Sequence, residues 1–152
     1  MGPWLNYALG QRKAMPLAEP SASQRFPEGP EALDMARVGL KAFARMAEHW
    51  ELTVDEQRLI LGGLPKTTYY GLLKGTMHSV NRDTLERLSL LVGIWANLEI
   101  LVPDPGASKG WMRRPHPDHR FDGRSPLGWM LQGTVAALVD VRRYLEAWRF
   151  GW

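Results

Sequence analysis

The residues best suited to chemistry lie in three short stretches. The first holds Lys66, Thr67, Thr68, Tyr70 and Lys74 within PKTTYYGLLK. On a helix lying in a major groove, such side chains reach base edges and phosphates. The same segment also reads as one of two packed helices with a solvated polar face. Gly71 costs that helix roughly 1 kcal/mol. The second stretch is RRPHPDHRFDGRSP, where Asp118 lies between His116 and His119. Two histidines and a carboxylate in a proline-rich loop are poorly fixed. Their spacing matches no strong ligand pattern, so a solvated loop without metal is expected. The third is the C-terminus, with Arg142, Arg143, Tyr144, Trp148, Arg149, Phe150, Gly151 and Trp152. Arginines suit the negative end of a helix dipole, and Trp148 is expected in the core. Phe150 and Trp152 lie beyond the periodic stretch, around a glycine, and belong to residue types that dominate interface hot spots. A partner contact is expected there.

Catalysis finds no support. No glycine-rich loop links a strand to a helix as a phosphate cradle. Ser125 reads as a helix cap. Nothing supplies a nucleophile, a base and an oxyanion site together, so neither an enzyme nor a bound cofactor is expected.

The elements that must carry these residues are helical. Leu33, Ala36, Leu40, Phe43, Ala47 and Trp50 follow a 3-4-3-4-3 spacing, one apolar face of a helix from Glu31 to about Trp50. Thr53-Val54-Asp55-Glu56 has the form of a capping box and opens a short helix to Leu61. Gly62-Gly63 supply a tight turn, and a helix from Pro65 to Lys74 ends at Gly75. This gives Thr53 to Gly75 helix-turn-helix proportions. Asn81 caps a fourth helix carrying Leu85, Leu88, Val92, Trp95, Leu98 and Leu101. A loop is expected from Pro103 to Ser108, then a short turn at Trp111-Met112. Ser125-Pro126 start another helix, ending at Gly133. Thr134 caps a last one with Leu138, Val141, Leu145 and Trp148 on one side. No stretch alternates with period two, and no internal repeat is found. Residues 1-30, with five prolines, read as a flexible tail.

Composition sets the frame. The 152 residues allow one domain or two small lobes sharing a core. A formal charge of only +3 permits nucleic-acid binding through a local patch without demanding it. The absence of cysteine excludes disulfides and thiolate zinc sites. No apolar run approaches the roughly 20 residues of a membrane span. The start lacks the pattern of a signal peptide, so a cytoplasmic protein without membrane contact is expected.

Several segments, in order, resemble the Xre/MbcA/ParS-like antitoxins. They are LGGLPKTTYYGLLKG, then NRDTLERLSLLVGIWANLEILVPD, WMRRP, FDGRSPLGWMLQG and the ending VRRYLEAWRFGW. The resemblance covers roughly residues 35 to 152, and the GRSPL element with the VRRYL…W ending is its most specific part. It implies an all-α fold: a helix-turn-helix lobe over 31-102 and a C-terminal toxin-binding domain over 103-152, sharing a core with the helix at 82-102. It implies a RES-domain toxin as partner, one that consumes NAD or transfers ADP-ribose from it. The antitoxin would cover the toxin's cleft and need no catalytic residue. The toxin-binding set is expected to be Trp129, Arg142, Arg143, Tyr144, Trp148, Arg149, Phe150, Gly151 and Trp152. Operator DNA would meet Lys66, Thr67, Thr68, Tyr70 and Lys74, in a homodimer within a toxin-antitoxin hetero-oligomer. A stand-alone repressor whose C-terminal domain dimerises, and an antitoxin without DNA binding, are the competing readings.

Overall fold

A computed structural model describes residues 26–117 and 119–151. Residues 1–25, with Pro3, Pro16 and Pro20 of the expected tail, and Asp118 and Trp152 lie outside them. Among the described residues the fold is all-helical, with no strand. The elements are α1 (Gly29–His49), α2 (Val54–Ile60), α3 (Lys66–Lys74), α4 (Arg82–Leu101), α5 (Pro105–Arg113), a 3-10 turn (His119–Phe121), α6 (Pro126–Met130) and α7 (Val135–Phe150).

Helix α4 is the axis of the molecule. Its neighbours are α1 and α7, the two other long helices. It therefore buries more than the single stripe expected from sequence. Leu85, Leu88, Leu91, Ile94 and Leu98 are the most enclosed apolar side chains along it, while Val92, Trp95 and Leu101 are half-buried. A helix covered on several sides loses its amphipathic signature. One core runs from Ala36, Phe43 and Trp50 through α4 to Leu138, Val141 and Leu145. Neither half buries its apolar surface alone.

Local chemistry sets the helix starts. Asn81, Asp104, Ser125 and Thr134 each accept a backbone N–H three residues on, at 2.7, 2.8, 2.9 and 3.2 Å. Thr53 and Glu56 form the expected reciprocal capping box. Pro65 is the residue before α3 rather than its first helical residue.

Five further sequence expectations differ from the structure. Residues 26–30 are not a loose extension: α1 starts at Gly29, and Phe26 packs on the core with the Arg82 guanidinium 5.5 Å over its ring. The loop expected over Pro103 to Ser108 ends at Asp104, which caps a full α5 with Pro105 in its first turn. The expected solvated loop before Ser125 is anchored by Phe121, which is fully buried. Helix α6 stops at Met130, short of Gly133. Trp148, expected in the core, is 40% exposed, and α7 continues to Phe150.

Candidate functional site

The α2–α3 pair is held by side-chain ties across its turn. Arg58 Nε donates to the Leu64 carbonyl at 2.6 Å, and its guanidinium also meets Asp55 at 3.0 Å. The Tyr69 hydroxyl donates to Gln57 of α2. Gly62 has φ +106°, and a Cβ there would stand 2.6 Å from Asp83 Oδ2, so the turn needs glycine for both conformation and space. These contacts leave Lys66, Thr67, Tyr70 and Lys74 exposed on α3, with Thr68 half-buried and Leu73 exposed among them. Four of the five candidate DNA-facing residues, Lys66, Thr67, Tyr70 and Lys74, therefore share one accessible surface. Gly71 is buried against Met77, whose Sδ would lie 2.9 Å from an added Cβ, so its role is close packing. Tyr69, which sequence reasoning passed over, is the buried tyrosine of the pair. Burial, then the neighbouring Tyr70, raises its pKa above the ordinary 10.0.

The C-terminal surface is built on α7. Trp129 of α6 donates its indole N–H to Asp140 at 3.0 Å. Arg142 donates to Glu146 at 3.0 Å, a pair with both side chains largely covered. Arg143 is exposed. Tyr144 lies in an aromatic cluster, its ring 5.2 Å from Phe121, 6.0 Å from Trp111 and 6.1 Å from His116. Trp148 extends the cluster outward, 6.1 Å from Trp111. Arg149 donates to the buried Asn97 of α4 at 3.3 Å and stacks 4.7 Å over the Phe150 ring. Asn97 in turn donates to the Gly93 carbonyl at 2.9 Å. Phe150 is 58% exposed, and Gly151 follows at φ +98°. Eight of the nine expected toxin-binding residues thus lie on α6, on α7 or just beyond it; Trp152 lies outside the described residues. Asn97 and Trp111 brace this surface; both lie in segments that carry the family resemblance, but neither is among the expected site residues.

His116 takes part in aromatic packing, 4.9 Å from Trp111 and 5.9 Å from Phe121. Among the described residues, no group of three His, Asp or Glu side chains could hold a metal ion. No helix of the described residues is long and apolar enough to cross a membrane.

The two surfaces are joined through α4. Arg87, 8% exposed, pairs with Asp83 at 2.9 Å and donates to the Ile60 carbonyl at the end of α2. It also donates to the Gly133 carbonyl ahead of α7, at 2.8 Å. A second tie links α5 to the end of α1: Arg113 donates to the carbonyls of Trp50 and Glu51, and Lys109 pairs with Glu51. The Lys109 hydrogen bond, reinforced by its charge, holds the Glu51 carboxyl below the usual carboxylate range.

Comparison with known proteins matches both halves. Residues 30–93 match the family described as the antitoxin Xre-like helix-turn-helix domain. Residues 97–151 match the antitoxin Xre/MbcA/ParS C-terminal toxin-binding domain. An uncharacterized protein of Sinorhizobium fredii (strain NBRC 101917 / NGR234), y4oB, is 42% identical over 122 residues, covering 78% of this chain and 91% of that protein. With a helix-turn-helix pair at one end of a shared core and an aromatic-tipped helix at the other, the chain belongs to the Xre/MbcA/ParS family of antitoxins.

Proposed function

We propose that this antitoxin neutralises a RES-type toxin, one that consumes NAD or ADP-ribosylates, by laying the end of α7 over the active-site cleft. The carrying observation is the exposure of Trp148 and Phe150 on one rigid helix end, braced by the Arg149–Asn97 hydrogen bond. Large exposed aromatics of a monomer mark interaction surfaces. Fully burying each one in a partner contributes on the order of 1.5–3 kcal/mol. The inhibitor needs no catalytic group, because it acts by exclusion. The α2–α3 pair binds operator DNA, so that the complex represses its own operon from the cytoplasm, as a homodimer within a hetero-oligomer. The shared accessible face of Lys66, Thr67, Tyr70 and Lys74 supports that part. Co-expression with the product of the adjacent gene tests the reading: the two proteins should co-purify, and the partner's NAD turnover should fall as antitoxin is added. A partner that co-purifies but has no activity on NAD would sink the RES assignment.

A further inference from the structure

The exposed face of α3 has a composition that narrows what it can read. At about 100° per residue, Leu73, Lys66, Tyr70, Lys74 and Thr67 follow one another across about 120° of the helix surface, with Tyr70 in the middle. All five are exposed, whereas Tyr69, Gly71 and Leu72 are buried. The lysines stand at the two ends of α3, and neither side chain has a hydrogen bond or ion pair with another described residue. The helix contains no acidic residue, so this face favours a polyanion. It also contains no arginine, asparagine or glutamine. Apart from lysine, the side chains that clasp guanine or adenine with two hydrogen bonds are therefore absent. Along the helix between the lysines stand two exposed side chains that offer apolar surface: Tyr70 is 42% exposed and Leu73 44%, about one turn apart. The Tyr70 ring is steadied edge-on by the buried Tyr69 ring, 5.3 Å away. In the major groove, the apolar group on a base edge is the thymine C5 methyl.

Resting on the DNA-binding reading above, we propose that Tyr70 and Leu73 read thymine methyl groups, while Lys66 and Lys74 hold the phosphates on either side. The operator is then thymine-rich where the middle and end of α3 meet it. Two uncompensated lysines at the ends of the patch favour DNA over an apolar protein face as its occupant, and α3 lies within the stretch that matches the Xre-like helix-turn-helix domain. Charge supplies attraction that is blind to sequence, and the methyl contacts choose the sequence.

The test uses the DNA upstream of this gene, amplified either with thymine or with uracil in its place. Uracil keeps the pairing and the groove hydrogen-bond groups and lacks only the methyl. The full-length chain, alone and with the product of the adjacent gene, is titrated against both fragments over excess unrelated DNA. Wild type should bind the uracil fragment about fourfold more weakly for each methyl buried in the contact. In Y70A/L73A the two fragments should bind alike, with the salt slope unchanged because the lysines remain. L73A alone should lose part of the preference, which covers a double variant too weak to measure. K66Q/K74Q should keep the preference and lower the salt slope. Thermal melts show that each variant is folded. If wild type binds both fragments equally, or if L73A and Y70A/L73A keep the full preference, methyl reading by this pair is overturned and DNA binding stands. If neither the chain nor its complex binds the upstream DNA, both fall. If Y70A/L73A keeps the preference but changes the oligomeric mass or toxin binding, the pair belongs to a protein contact and the proposal is overturned.

Discussion

Tyr69 and Tyr70 are adjacent in sequence and opposite in role. Neighbours on a helix point about 100° apart, since each turn takes 3.6 residues. Tyr69 therefore faces Gln57 and the core beside Leu72, while Tyr70 faces solvent. The sequence shows two tyrosines but not which is inside, because α3 is too short for its periodicity to fix the phase. Replacing Tyr69 by Phe should cost about 0.5–1.5 kcal/mol, the hydrogen bond to Gln57. The pH dependence has a definite sign. Burial raises the Tyr69 pKa in the folded state, so this contribution is complete below the ordinary value of 10.0 and is lost as pH rises through the folded-state value. Thermal melts of wild type and Y69F from neutral to strongly alkaline pH check it. The two should converge at the alkaline end; a constant difference would mean that Tyr69 does not titrate in that range.

At the scale of elements, legibility followed the strength of the local signal. Helices α1, α4 and α7 were readable because long apolar stripes repeat at helical spacing and polar caps stand at Asn81 and Thr134. Helix α5 was missed in part because Gly106 and Gly110 depress its propensity, although Asp104-Pro105 is a start signal of the same kind as Ser125-Pro126. Phe121 is a single buried aromatic in a polar, proline-rich stretch, with no periodic neighbour to announce it. On the candidate DNA helix, the positive charge at the two ends comes from Lys66 and Lys74. Replacing both by Gln should weaken operator binding and lower the slope of log affinity against log salt by about 2, from two lost phosphate contacts. Inhibition of the toxin should persist. Gel shifts across a salt series measure the first and toxin assays the second; an unchanged salt slope would place the phosphate contacts on another surface.

At the scale of the whole molecule, the lobes are joined by more than apolar packing. Arg87 replaced by Met keeps similar bulk but leaves the Gly133 and Ile60 carbonyls without this donor. A buried acceptor left unpaired costs about 1–3 kcal/mol, so the melting temperature should drop by roughly 3–12 °C in a chain of this size. A melt unchanged in the variant would mean that the shared core alone sets the joint. This tie could not be read from sequence, where Arg87 is one charge among many on α4, and its acceptors lie 27 and 46 positions away.

The C-terminal end offers the sharpest separation of stability from function. The apolar anchors of α7 are Leu138, Val141 and Leu145, all fully buried, and its polar anchor is the Arg149–Asn97 hydrogen bond. Phe150 is more than half exposed, and Gly151 is exposed beyond it. Removing residues 150–152 therefore takes away little of the described core, and the melting temperature should change by no more than a few degrees. It does remove the exposed apolar surface of Phe150. Toxin activity on NAD, titrated with full-length and truncated antitoxin, should show inhibition impaired by the truncation. Residual binding should persist through the α7 surface around Arg143, Tyr144 and Trp148. The N-terminal 25 residues provide the control at the opposite end, since their removal spares Phe26 and α1 and should leave inhibition intact. If the C-terminal truncation is as stable and inhibits as well as the full-length chain, the tail is not the plug, and the side of α7 carries inhibition alone.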